Sequence, residues 1–164
     1  MYRLSEKQIE EILIEDLDLI EPGLRLLRNQ YRTHHEGCKF QTNLYGHHTG
    51  CRGTIDILCL DQRNNLVVIE IKLNANSNVI SQINKYPQFL KHNFPLYQGE
   101  FRKILCCINS AKEVEVLCNQ NNIRFIQLNS KILKYSKPQT NLCLNELQFI
   151  ESHTLFKEFL LSYS

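Results

Sequence analysis

Residues 53–60 read GTIDILCL and residues 66–73 read LVVIEIKL, with only the polar stretch DQRNN between them. Two β-branched apolar runs joined by so short a turn are expected to pair as neighbouring antiparallel strands. Side chains alternate faces along a strand. One face of the second run is therefore Val67, Ile69, Ile71 and Leu73, directed at a core; the other is Leu66, Val68, Glu70 and Lys72. On the first run Thr54, Asp56, Leu58 and Leu60 share a face. Folding the pair across Asp61 to Asn65 sets Leu60 opposite Leu66, Leu58 opposite Val68 and Asp56 opposite Glu70, with Lys72 level with Thr54. Facing carboxylates repel and destabilise a sheet, and a divalent cation between them reverses that sign. Alone, Glu70 and Lys72 would read as an ion pair on a solvated hairpin face. The facing Asp56 and the apolar surroundings argue for a site instead. A one-residue slip would carry Asp56 to the other face, so the reading rests on this register.

The flanking segments supply helices and further strands. Ser5 and Gln8 form a capping box, Leu4 and Ile9 a hydrophobic staple, and Ile9, Ile12, Leu13 and Leu17 recur at helical spacing until Glu21-Pro22-Gly23. Residues 23–33 read as a strand bearing Arg25, Arg28 and Arg32. A helix runs from about Ser77 to His92, perturbed near Pro87. RKILCCIN (102–109) reads as a buried strand, Ser110 and Glu113 as a second capping box, IRFIQL as a strand and the tail as a helix. The order α-β-β-β-α-β-α-β-α describes an α/β (α+β) fold, a mixed central sheet flanked by helices. One domain spanning 1–164 is expected, since no linker or low-complexity tract divides the chain.

No apolar run reaches the ~18–20 residues that cross a membrane, and the N-terminus lacks the order of a signal peptide. The seven cysteines are odd in number and scattered, three of them (Cys59, Cys106, Cys107) inside apolar runs. That usage fits a reducing, cytoplasmic compartment rather than a disulfide framework. A net charge of +2 rules out global basicity, so a nucleic-acid surface would have to be a local patch.

One segment repeats itself: HHEGC (34–38) returns as HHTGC (47–51). His35-x-x-Cys38 and His48-x-x-Cys51 could offer four tetrahedral ligands to a structural Zn²⁺, with His34 and His47 as alternative donors. The other reading is a Gly-rich surface loop whose histidines touch phosphates or nothing. Thiol and imidazole ligands suit zinc rather than phosphodiester chemistry, so the 34–51 segment reads as an accessory insertion before Asp56.

Three pieces together, residues 5–27, GTIDILCLDQRNNLVVIEIK and the helical Gln82-Ile83-Asn84-Lys85-Tyr86, resemble PD-(D/E)XK nucleases. The resemblance is closest to the C-terminal catalytic domain of the archaeal and actinobacterial mismatch-specific endonucleases called NucS or EndoMS. The combination D-x13-E-x-K, Q-x-x-x-Y and leading helix is fairly specific, whereas E-x-K alone is not. The resemblance implies a restriction-endonuclease-like fold with an αβββαβ core and a Mg²⁺- (or Mn²⁺-) dependent DNA endonuclease acting in repair or restriction. It implies that Asp56 and Glu70 hold Mg²⁺, that Lys72 orients and activates the attacking water, and that Gln82 positions substrate or water. It also implies a glutamate from the leading helix. Glu10 lies at the edge of the core face set by Ile9, Ile12 and Leu13, whereas Glu11 points nearly opposite to it and is expected to be solvated.

Arg28, Arg32, Arg52 and Lys85, with Arg25 and Lys91, lie on segments that could border this site and meet phosphates. Tyr86, Tyr31 and Tyr45 are candidates for stacking on bases. DNA is the expected partner, with a homodimer implied where two sites cut two strands. Members of the family usually carry a preceding domain for dimerisation and single-strand binding; this chain starts at the leading helix and is expected to be a free-standing nuclease domain, so mismatch specificity does not follow. The competing classes are a catalytically inactive nuclease fold that binds DNA or protein through a zinc-stabilised insertion, and a zinc-stabilised interaction protein without nucleic-acid partners.

Overall fold

The computed structural model describes residues 4–33, 53–129, 133 and 146–163. A leading helix α1 (Glu6–Glu15) and a 3-10 turn (Leu17–Leu19) precede strands β1 (Arg25–Arg32), β2 (Thr54–Leu60) and β3 (Leu66–Ala75). Then follow α2 (Asn78–Asn93), β4 (Phe101–Ser110), α3 (Lys112–Gln120), β5 (Ile123–Gln127) and α4 (Glu146–Tyr163). The five strands lie in the order β1-β2-β3-β4-β5. β1, β2 and β3 pair antiparallel, and β3, β4 and β5 pair parallel. The expected α+β mixed sheet flanked by helices is the fold observed.

α1 starts where its capping box says it should. The Ser5 amide donates to Gln8 Oε1 at 2.8 Å, and the Gln8 amide donates to Ser5 Oγ at 3.2 Å. Leu4 packs against the apolar cluster that contains Ile9. Ser5→Ala should cost about 1 kcal/mol of stability, read as a lower urea midpoint at unchanged slope; an unchanged midpoint would show the cap to be inert.

The second expected box does not form. Ser110 is the last residue of β4, paired with Ala75, and α3 begins after an Ala111 cap that offers no side-chain acceptor. Sheet pairing claims Ser110 before the helix can. Pro87 sits inside α2 without ending it.

The hairpin loop owes its shape to Asp61, whose Oδ1 accepts the amides of Arg63 (2.9 Å) and Asn65 (2.8 Å). Asn64 takes a left-handed φ of 62° there, a conformation Asn tolerates better than most residues. Arg25 donates to the Asp61 carbonyl and the Asn64 side chain, so it clamps this loop rather than bordering the acidic cluster.

Apolar packing covers both faces of the sheet, which corrects the one-core reading of β3. Leu66 and Val68 are as buried as Val67, Ile69 and Ile71. Leu66, Val68 and Leu105 pack with Val79 and Ile83 of α2, Val114 of α3 and Phe156 of α4. Val67, Ile69, Ile71 and Ile104 pack with Ile9, Ile12 and Leu13 of α1. A strand central to a sheet covered on both faces reads as a continuous apolar run, and β3 does so from Leu66 to Ile71, apart from Glu70. Cys59, Cys106, Cys107 and Cys118 are buried free thiols within these layers, and burial pushes Cys106 up to about 12. Among the described residues no helix is long and apolar enough to cross a membrane.

Candidate active site

From Leu60 to Ile57 the hairpin register is the one read from the sequence: Leu60 pairs with Leu66, Leu58 with Val68 and Ile57 with Ile69, and the ladder stops there, short of the expected Asp56–Glu70 and Thr54–Lys72 pairs. One step further on, at Asp56 and Glu70, a side chain enters the backbone pattern. The Ile71 amide donates to Asp56 Oδ2 at 2.8 Å, so the carboxylate accepts a strand N–H. This puts Asp56 at the level of the β3 segment carrying Glu70 and Lys72.

Glu70 is held from three sides. Its side chain is 3% exposed and its Oε1 lies 3.3 Å from Lys72 Nζ. Gln82 Nε2, from α2, donates to the same Oε1 at 2.8 Å and to the Tyr86 hydroxyl at 3.0 Å. That hydroxyl lies 3.0 Å from Glu70 Oε2 and 3.0 Å from the Thr54 carbonyl oxygen, and it can donate to either. Gln82 and Tyr86 reach one carboxylate because residues four apart share a helical face.

The leading helix supplies Glu10, which is buried. Gln30 Nε2 donates to its Oε2 at 2.5 Å and Asn29 Nδ2 to its Oε1 at 3.2 Å. Gln30 Nε2 also lies 3.3 Å from Asp56 Oδ1. Glu6, at the start of the same helix, accepts the Leu73 amide at 3.0 Å and ties α1 to β3. A cleft of about 570 Å³ opens here, lined by Glu6, Glu10, Asn29, Gln30 and Asp56, with half-buried Glu11 also on its wall. Glu11, expected to be solvated, is thus only partly so.

Burial shapes the charge of this group. It pushes the Glu70 carboxyl up to about 7, helped by negative Asp56 and opposed by Lys72 and the Tyr86 hydrogen bond. Asp56 and Glu10 are raised by burial too, against the hydrogen bonds from Ile71 and Gln30 to the first and from Asn29 and Gln30 to the second. Burial and Glu70 raise Tyr86, which stays a protonated hydroxyl. Asp56 adds its charge to both Glu70 and Glu10, and acids paired in this way would be relieved by a bound cation. Their hard oxygen donors suit a hydrated divalent ion such as Mg²⁺, which needs only one or two carboxylates and keeps several waters. Among the described residues no three His, Cys, Asp or Glu side chains come together as metal ligands, so the acids available to an ion are a pair.

The fold thus brings Glu70, Lys72 and Gln82 into contact with Asp56 beside them, and links Glu10 to Asp56 through Gln30. The stacking role for Tyr86 is corrected: its ring is 1% exposed, so no base can lie on it. Tyr31 is likewise packed, stacked on Phe94 and edge-on to Phe156. Arg28 and Arg32 are exposed on β1, with the Arg28 guanidinium 4.7 Å from the Phe156 ring centre, and Lys85 is exposed on α2. Lys91 lies over Phe101. His35, Cys38, His48, Cys51, Arg52 and Tyr45 fall outside the described residues.

The sequence reading missed Asn29 and Gln30. Gln30 has φ 49°, a left-handed conformation that costs a non-glycine residue roughly 1–2 kcal/mol. β1 and β2 pair at Asn29 with Ile57 and at Tyr31 with Ile55, which sets Gln30 level with Asp56. The alternation of faces breaks at this level in both strands. Adjacent Asn29 and Gln30 both reach Glu10, and Ile57 joins the α1-side core while Ile55 joins the α2-side core. Two consecutive amides in a strand were the only sequence signal.

A mixed sheet whose central hairpin carries Asp56, Glu70 and Lys72 against Gln82 and Tyr86 of the next helix defines a nuclease-like α+β domain. Residues 5–142 match the endonuclease NucS C-terminal domain family, and the chain belongs to that family. Endonuclease NucS of Methanocaldococcus jannaschii is 26% identical over 128 residues, 77% of this chain and 41% of that protein. A repair endonuclease from Pyrococcus abyssi superposes with a TM-score of 0.59 at 22% identity, over 79% of this chain and 49% of that one. EndoMS in a complex with double-stranded DNA superposes with a TM-score of 0.56 at 22% identity, over 79% and 47%. The structural likenesses establish the fold, and the chain spans under half the length of each of these relatives.

Proposed function

We propose that this protein is a divalent-metal-dependent DNA endonuclease that hydrolyses phosphodiester bonds, acting in DNA repair. The observation that carries this reading is the convergence of Lys72 and Gln82 on the buried Glu70 carboxylate, with Asp56 of the paired strand fixed beside it on the Ile71 amide. The names of the relatives, a repair endonuclease and a DNA-bound EndoMS among them, support both DNA and repair.

Asp56 and Glu70 would hold Mg²⁺ or Mn²⁺, which lowers the pKa of a bound water and screens the phosphate charge during in-line attack. Lys72 orients the attacking water and places a positive charge beside the phosphoryl oxygens as their charge grows. Gln82 and Tyr86 hold Glu70 in place, and Glu10 adds a third acid across the cleft. Water adds to phosphorus and a P–O bond breaks, leaving one phosphate end and one hydroxyl end. Exposed Arg28, Arg32 and Lys85 are the candidate phosphate contacts. A homodimer would supply two sites for two strands.

Supercoiled plasmid and flap DNA incubated with the protein should be cut in Mg²⁺ or Mn²⁺ and left intact in EDTA. Cutting in EDTA would overturn the metal requirement. Intact DNA of every form in both metals would overturn the nuclease reading.

A further inference from the structure

We infer that Gln30 is a positioning residue of this site: its amide straps Glu10 of α1 to Asp56 of β2 and thereby presents the Asp56 oxygen that faces a bound divalent ion. The inference rests on the metal-dependent nuclease reading. Asp56 has two oxygens with different duties. Oδ2 is taken by the Ile71 amide at 2.8 Å, and Oδ1 lies on the Gln30 side at 3.3 Å. Gln30 Nε2 carries two hydrogens and lies 2.5 Å from Glu10 Oε2, so one neutral group donates to two acids that would otherwise only repel. A lysine would neutralise them and compete with a cation; an acid would add to the repulsion. An amide fixes the spacing and leaves the negative charge available to the ion.

The backbone departs from regular strand geometry at this residue. Gln30 carries a side chain at φ 49°, where glycine would sit without steric cost. Strain of this kind persists where the surroundings over-determine it, and it gathers at functional sites. The left-handed residue is also what turns Gln30 to the same side as Asn29. A regular strand would have sent the two amides to opposite faces, leaving Glu10 with one donor and Asp56 with none from β1. Glu10, Gln30 and Asp56 line the same 570 Å³ cleft, so the strap lies on the wall that an ion and a phosphate would meet.

The test is Mn²⁺ binding by the full chain without DNA, read from the electron paramagnetic resonance signal of free Mn²⁺. Gln30→Met keeps the length of the side chain and loses both donors. Gln30→Asn tolerates the left-handed backbone and is one methylene too short to span both acids. Each should weaken Mn²⁺ binding by roughly ten- to a hundredfold, the usual effect of losing a partner that orients a ligand. The Mn²⁺ concentration for half-maximal cleavage should rise by the same factor, while the rate at saturating Mn²⁺ stays within a few fold of wild type. Gln30→Asn secures the result if Gln30→Met fails to fold. Folded variants that bind Mn²⁺ within twofold of wild type would overturn the inference, and so would a lower Tm with unchanged Mn²⁺ affinity. Wild-type protein that neither binds Mn²⁺ nor cuts DNA would overturn the nuclease reading itself, and this inference with it.

Discussion

Replacing Lys72 by alanine should slow DNA cleavage roughly 10²–10³-fold, the scale of losing one preorganised charge in a site shielded from water. Asp56→Asn should abolish cleavage at least as completely, for a different reason. Lys72 is 29% exposed and ends 3.3 Å from a carboxylate that is 3% exposed, so its charge sits at the mouth of the buried cluster, where a phosphate would enter. Asn at position 56 keeps an oxygen for the Ile71 amide but removes the negative charge. That charge is part of what raises Glu70, so the metal-free Asp56→Asn protein should melt at a higher temperature than wild type while being inactive. A gain of stability with a loss of function is characteristic of charges kept for chemistry. Plasmid cleavage in Mg²⁺ together with thermal melts in EDTA checks both halves. Full activity in Lys72→Ala and Asp56→Asn proteins would remove the site from this cluster, and a lower Tm for Asp56→Asn would show that Asp56 is chiefly structural.

Asp56, Glu70 and Lys72 were legible because their signal is local. A five-residue turn sets the hairpin register as far as Ile57 and Ile69, which brings Asp56 to the right level, although the alternation that was to carry it on to Glu70 breaks there. Gln82 and Tyr86 follow from helical spacing, and the resemblance told which of the polar residues to weigh. The two-sided core was less legible: Leu66 and Val68 are buried by α2, α3 and α4, which the strand's own period cannot report. Ser110 shows the converse error, a good local cap motif overruled by its pairing with Ala75. Gln30 and Asn29 were out of reach, because their role depends on a left-handed residue at a position where nothing but polarity distinguishes the strand.

In EDTA the protein should lose stability as pH rises from about 5 to about 8. The Glu70 carboxyl has an ordinary value of 4.5 and is held up to about 7 in the folded chain, first by burial and then by Asp56. Between those values the native state binds more protons than the unfolded one, so stability falls with rising pH, and the loss levels off about one unit above the folded value. Asp56 and Glu10 are raised as well, by burial, and push the same way. Lys72 and the Tyr86 hydroxyl already moderate the shift. Asp61 works oppositely: the Asn65, Arg63 and Arg102 contacts outweigh burial and lower it from 3.8, so its window lies below the range tested. Glu70 alone then contributes on the order of 3 kcal/mol, which for a chain of this size is a fall in Tm of roughly 6–12 °C. Mg²⁺ or Mn²⁺ should restore most of it at pH 8, because an ion that binds only the folded, ionised cluster stabilises it by mass action. At pH 5, where the cluster carries protons, the same ion should do much less. Melting curves across this range, with and without metal, decide the matter. A Tm that is flat or rises with pH in EDTA would mean that Glu70 ionises as an ordinary glutamate. A metal-induced rise in Tm that is as large at pH 5 as at pH 8 would place the ion away from these acids.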